Sequence, residues 1–125
     1  MNASENGTRI LVEQAYLLDL VLDAIILRDM QGAIIFWNQG AEKLFGWTSD
    51  EVLGKHGHTL LHTQFPQPWQ AIEAEVLRVG HWEGELVHTR RDSTPVVVTS
   101  RWAVWQPDHG APLAIVEIST DITER

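Results

Sequence analysis

Phe36-Trp37-Asn38-Gln39-Gly40-Ala41-Glu42-Lys43-Leu44-Phe45-Gly46-Trp47 is the stretch on which the reading of the fold turns. Its first two residues close an apolar, β-branched run that starts at Ala33 and has strand character. Asn38 has the side chain of a helix N-cap, because its oxygen can accept an orphan N–H from a first helical turn. Ala41, Leu44 and Phe45 then recur at helical spacing, and Gly46 supplies a stop. A strand that passes through a cap into a short helix is therefore expected here.

Working upstream, Ala24-Ile25-Ile26-Leu27-Arg28 is a second short β run. Asp29-Met30-Gln31-Gly32 lies between the two runs and predicts a hairpin turn, with Gly where φ is positive. Further back, Leu11, Ala15, Leu18 and Leu22 form one helical stripe, widened by Ile10, Leu17 and Val21. Residues 1–8 read as a flexible lead and 9–22 as an N-terminal capping or dimerisation helix. A core is expected over 23–120, and 121–125 as the start of a linker.

Working downstream, Thr48-Ser49-Asp50-Glu51 has capping-box spacing and predicts a helix that Gly54 stops. Residues 54–65 lack a clear period and hold His56, His58 and His62. Pro66 and Pro68 then flank a helix start. Trp69, Ile72, Val76 and Val79 read as its apolar face, and Glu73, Glu75 and Arg78 as its wet face. After Gly80 the period becomes two, with Trp82, Gly84, Leu86 and His88 on one side. Polar turns at Arg90 to Pro95 and Pro107 to Gly110 separate two further strands, Val96 to Trp105 and Leu113 to Ser119. The expected class is α+β: a five-stranded antiparallel sheet with short helices on one face.

Composition narrows the function. The chain has 125 residues, with 9 Lys plus Arg against 17 Asp plus Glu, a formal net charge of −8. That length suits one domain. The acidic balance argues against docking on nucleic acid by phosphate neutralisation. Without Cys, the chain has no disulfide, thiolate metal site or cysteinyl cofactor adduct. No run approaches the roughly 18 apolar residues of a membrane span. The first residues lack a signal-peptide pattern, so a cytoplasmic location is expected. Neither a nucleophile elbow nor a Walker loop occurs, which argues against catalysis.

The segment from Phe36 to Trp47, followed by Glu51-Val52-Leu53-Gly54-Lys55, resembles the first half of a PAS sensor domain. Trp82-Glu83-Gly84-Glu85 and Arg90-Arg91-Asp92 resemble later elements of that family. The ending Ser119-Thr120-Asp121-Ile122-Thr123-Glu124-Arg125 is similar to the Asp-Ile-Thr signal of bacterial PAS modules. The resemblance implies a sensor that holds a small molecule between sheet and helices. It also implies an effector, such as a histidine kinase or a cyclic-dinucleotide enzyme, with Asp121, Ile122 and Thr123 as the output. PAS domains that carry haem usually ligate it from the longer middle helix, and no His lies between Pro66 and Gly80. Covalent flavin lacks its Cys. A non-covalent small molecule is the class of ligand that stays open.

The family register places Val98, Ser100, Trp102, Ile115, Glu117 and Ser119 inward. Trp82, Leu86, His88, Ser100, Trp102 and Glu117 are then the expected ligand-binding residues. A carboxylate at Glu117 needs a partner there. The candidates are His88, Ser100, a backbone amide or a ligand group, or else Arg101 on the outer face. Trp105, with Val97, Ala103, Val116 and Ile118, would leave an outward apolar patch. Leu11, Leu18, Leu22, Trp105 and Ile118 are therefore the expected interface of a homodimer, with the helix packed in cis or exchanged. Two other readings stand beside the sensor. One is a ligand-free dimerisation module; the other is a metal-dependent enzyme using His56, His58 and His62, of which His58 and His62 would share a helix face.

Overall fold

A computed structural model describes residues 22–106 and 110–123. Its strands are β1 (Ala24–Asp29), β2 (Ile34–Trp37), β3 (His81–Thr89), β4 (Pro95–Trp105) and β5 (Ala114–Asp121). Between β2 and β3 lie four helices: α1 (Gln39–Phe45), α2 (Ser49–Val52), α3 (Gly57–Leu60) and α4 (Trp69–Val79). The sheet order is β2-β1-β5-β4-β3, and every neighbouring pair is antiparallel. The predicted α+β class and five-stranded sheet are thus present. The expected lead (1–8) and nearly all of the N-terminal helix (9–22), with Leu11 and Leu18, lie outside the described residues.

Local chemistry explains the first half. Gly32 has φ +90°, the conformation required by the β1–β2 turn. Asp29 Oδ1 accepts from the N–H groups of Gln31 and Ala33 and ties that turn. The β1–β2 register slips at Leu27/Arg28, so that Ile35 has no opposite residue. This bulge turns Ile34 and Trp37 both toward the main core and leaves Ile35 exposed. Asn38 caps α1 by accepting from Ala41 N at 2.8 Å. The same oxygen accepts from Ile25 N, and the Asn38 amide donates to Asp23 O. One buried side chain therefore joins the helix start to β1. The Thr48–Glu51 capping box forms around α2.

Period two governs the second half. Val96, Val98, Ser100 and Trp102 of β4 are buried, while Arg101 and Ala103 are exposed. On β5, Ala114 to Ser119 follows the same rule, with Ile115, Glu117 and Ser119 facing the helices. Gly84 leaves room for an indole: a Cβ there would sit 2.5 Å from the Trp82 ring. Strand β5 runs two residues past the expected Ser119, so Asp121 ends the strand.

The expected face of the long helix needs correction. Ile72 and Val76 are fully buried, but Trp69 is 47% and Val79 42% exposed. Trp69 sits in the first turn and Val79 in the last. Glu73, assigned to the wet face, is half-buried and ion-paired to a strand.

Replacing Asn38 with Ala removes three hydrogen bonds, two of them to buried partners, and a cap. The expected loss is about 2–3 kcal/mol in denaturant unfolding. A loss below roughly 0.5 kcal/mol, the level of a neutral surface change, would contradict this role.

Candidate functional site

Alternation along β1 places Ala24, Ile26 and Arg28 on the inner face with Glu117 of β5. Arg28 is 4% exposed and Glu117 is 2% exposed. The Arg28 Nε donates to Glu117 Oε2 at 2.5 Å. Its other two nitrogens meet Glu73 of α4: Nη2 donates to Oε1 at 2.8 Å and Nη1 to Oε2 at 3.2 Å. The guanidinium also lies over the Trp102 ring, 4.8 Å from its centroid. Fork geometry, a stacked plane and two carboxylates make this an Arg site that Lys would not reproduce.

His58 of α3 completes the cluster. Its Nε2 is 2.9 Å from the same Glu117 oxygen. An ionised carboxylate only accepts, so the proton of this bond is on Nε2. The imidazole stacks on Trp102 at 5.2 Å and 14°. Trp82 meets Trp102 from another side at 5.2 Å, and Phe65 stands edge-on to it. Burial acts to raise the Glu117 pKa. The His58 and Arg28 charges and hydrogen bonds overcome that and hold it down at about 2.

Of the partners expected for Glu117, Ser100 and Arg101 do not serve. Ser100 accepts from Trp102 Nε1 at 3.0 Å and pairs with Ser119 across the sheet. Arg101 lies on the opposite, exposed face. His88 is close enough to feel the Glu117 charge but hydrogen-bonds Thr63 Oγ1 at 2.7 Å. Burial pushes His88 down to about 4, so it is neutral at pH 7. Its Nε2 has no hydrogen-bond partner among the described residues. Leu86 is packed in the core beside these groups.

The expected ligand residues Trp82, Leu86, His88, Ser100, Trp102 and Glu117 therefore lie together on the inner face. Sequence reasoning missed Arg28, Glu73 and His58 as their partners. A signal for Arg28 existed: in Ala24-Ile25-Ile26-Leu27-Arg28, period two puts the charge on the side of Ile26. Nothing comparable marks Glu73, because its partner is 45 residues away.

A cavity of about 400 Å³ opens beside the cluster, lined by His56, His58, Thr59, Thr63, Phe65 and Trp69. The three-histidine metal reading fails on geometry. His56 caps α3, accepting from Thr59 N, and His58 is held by Glu117. Helix α3 ends at Leu60, and His62 has φ +44°, so His58 and His62 share no helix face. No cluster of three metal-ligating side chains occurs among the described residues.

Just past β5, Ile122 N donates to Val97 O, and Thr123 Oγ1 accepts from Val97 N at 3.0 Å. Asp121 Oδ1 accepts from Thr123 N at 2.9 Å. These bonds hold Asp121, Ile122 and Thr123 against the start of β4. On the outer face, Leu27 and Ala114 cluster with Phe36, Trp105 and Val116. Ile118 is half-buried and Leu22 is 91% exposed.

A sheet in this order, with four helices inserted between its second and third strands, is the architecture of one known domain class. The chain belongs to the PAS domain family, whose model matches residues 22–124. It is similar to the PAS domain of a Colwellia psychrerythraea protein, at 30% identity and TM-score 0.75, covering 93% of this chain and 99% of that one. It is 33% identical over 118 residues to Two-component system protein A of Emericella nidulans, covering 87% of this chain and 16% of that protein. It is 44% identical over 111 residues to the probable diguanylate cyclase DgcE of Escherichia coli, covering 86% of this chain and 10% of that protein. The chain thus spans about a sixth or less of these two relatives. A PAS domain is a sensory module, and a diguanylate cyclase catalytic domain is not in this chain. No helix among the described residues is long and apolar enough to cross a membrane.

Two windows of acid sensitivity follow from the buried groups. The unfolded His88 takes a proton near pH 6.5 and the folded one near 4. Between those values the unfolded chain binds more protons, so stability falls as pH drops through this window. Glu117 titrates near 4.5 unfolded and about 2 folded, so its contribution is full above 4.5 and is lost as pH falls toward 2. Each shift corresponds to about 3 kcal/mol at most. Thermal melts from pH 7 to 4 are expected to decline, and His88→Leu is expected to flatten that slope. An equal slope in the variant would contradict the assignment to His88.

Proposed function

We propose that this domain is a sensory input unit that binds a small molecule at the His58–Trp69 cavity and passes the event to an effector through β5. One observation carries the reading. Glu117 of β5 is bonded to His58 of α3 and, through Arg28, is linked to Glu73 of α4. Both elements that border the cavity are therefore tied to the strand that ends at Asp121. A ligand that shifts α3 or α4 changes the load on that strand. It acts only by its differential affinity for the two arrangements. None of Trp82, Leu86, His88, Ser100, Trp102 and Glu117 lines the cavity itself; in this reading they are buried sensing residues joined to it through His58, which meets Glu117 and Trp102, and Asp121, Ile122 and Thr123 are the exit.

The two relatives support an effector of the two-component or cyclic-dinucleotide type, with a histidine kinase as our first choice. The setting is bacterial and cytoplasmic. In this reading residues 1–8 are a lead, 9–22 a capping helix, 23–120 the sensor core and 121–125 the start of a linker. The dimer uses Leu11, Leu18, Leu22, Trp105 and Ile118. The occupied faces of Trp102 favour a second reading, in which the core is filled by its own side chains and dimerisation is the whole function.

Native mass spectrometry of freshly purified protein separates these readings, because it shows retained small molecules and oligomeric state together. The transmission step has its own measurement. Hydrogen exchange in His58→Ala is expected to rise about tenfold at residues 118–123, with little change in β2. Unchanged exchange at 118–123 in a folded variant would sink the β5 route.

A further inference from the structure

We propose that Arg28 is the receptor for the carboxylate of a small aromatic ligand, and that Glu73 fills that place as a displaceable latch. The inference rests on the reading of the His58–Trp69 cavity as a ligand entrance, and it names the ligand's chemistry.

The two carboxylates on Arg28 are not equivalent. Glu117 belongs to an interior strand of the sheet and cannot leave without disturbing β1 and β4 pairing. Glu73 belongs to a helix and its side chain is 19% exposed. Helix α4 is anchored by Ile72 and Val76, while Trp69, Leu77 and Val79 remain exposed. The Nη edge of Arg28 thus faces the partner that can move. Glu73 offers that edge two oxygens, at 2.8 and 3.2 Å. The guanidinium plane is fixed by Trp102 and Glu117, so it keeps the same fork when Glu73 departs.

Exchange of one carboxylate for another leaves the charge of the cluster unchanged. A neutral ligand in the same place would leave buried Arg28 with Glu117 alone and forfeit two charge-assisted bonds. A carboxylate is therefore the chemistry that the site accepts. The rest of the ligand is set by Trp69, which lies one turn before Glu73 on the same helix face. Its exposed indole, with Phe65 and His58, walls the cavity. Arg28 is not among the residues that line the cavity, so the acid of a planar body stacked there reaches it only when Glu73, one turn along α4 from Trp69, gives way. Release of Glu73 frees α4 from β1, which supplies the movement that a sensor needs.

The test uses the whole chain, phenylacetate as the acidic probe and phenylacetamide as its neutral counterpart. Titration is followed by calorimetry and by the NMR signal of the Arg28 Nε–H. Glu73→Gln keeps side-chain shape and removes the competing charge; Glu73→Ala is the second variant in case packing matters. Phenylacetate is expected to bind either variant at least tenfold more tightly than wild type and to shift the Arg28 signal. Phenylacetamide is expected to gain nothing. Equal gains for both probes, or no gain for phenylacetate in folded variants, overturn the latch. If both probes bind wild type alike and the variants change nothing, the cavity reading survives while the carboxylate proposal falls. If neither probe binds any form, both fall.

Discussion

The ion pair between Arg28 and Glu117 is the constraint around which the domain is arranged. Two charges sit under the helices on adjacent strands, each nearly inaccessible to water. Such a pair is weak evidence for stability, because removing both charges from water offsets most of their attraction. Its effect is on geometry. If either side chain turned away, the other would keep only one of its partners, Glu73 for Arg28 or His58 for Glu117. The β1–β5 register, the direction of Arg28 and the position of α4 are therefore set together.

The remaining inner-face polar groups follow from the same condition. Glu117 needs more than one donor, and His58 supplies the second from α3. Arg28 has Nη groups left over, and Glu73 accepts from them. The Trp102 ring faces the Arg28 guanidinium and the His58 imidazole, and its Nε1–H donates to Ser100, whose hydroxyl pairs with Ser119. The result is a connected set spanning α3, α4, β1, β4 and β5. In such a connected set a change at one member is felt by its neighbours.

Much of the fold was legible because it rests on local rules. Asn38, Gly46, Thr48 with Glu51, Gly54 and Gly80 mark helix ends by chemistry that acts within a few residues. Strand faces were legible from β3 onward, where period two runs unbroken. It failed at Ile35, where a bulge inserts one residue and reverses the parity. On α4 it was the helical spacing that misled, because Trp69 and Val79 fall on the apolar stripe but are exposed. Apolar spacing shows which residues could face the sheet but not where the sheet ends. The inner site was legible only in part: Glu117 was marked as a carboxylate in need of a partner, but its partners were not found.

By itself the sequence determined the class of fold, the punctuation of its elements, the alternation of its later strands and the absence of any cysteine chemistry. Each of these depends on residues close together in the chain or on composition; which side of those strands faces inward came from the family resemblance. Tertiary structure decided that β1 lies beside β5, which brings Arg28 to Glu117 across 89 positions of sequence. It also decided that His58 is a partner of that carboxylate rather than a metal ligand, and that Glu73 is a half-buried ion-pair partner rather than a fully solvated one. The physical reason is that a charge chooses its partner by distance and desolvation in the folded state. Neither quantity exists until the sheet has closed over it.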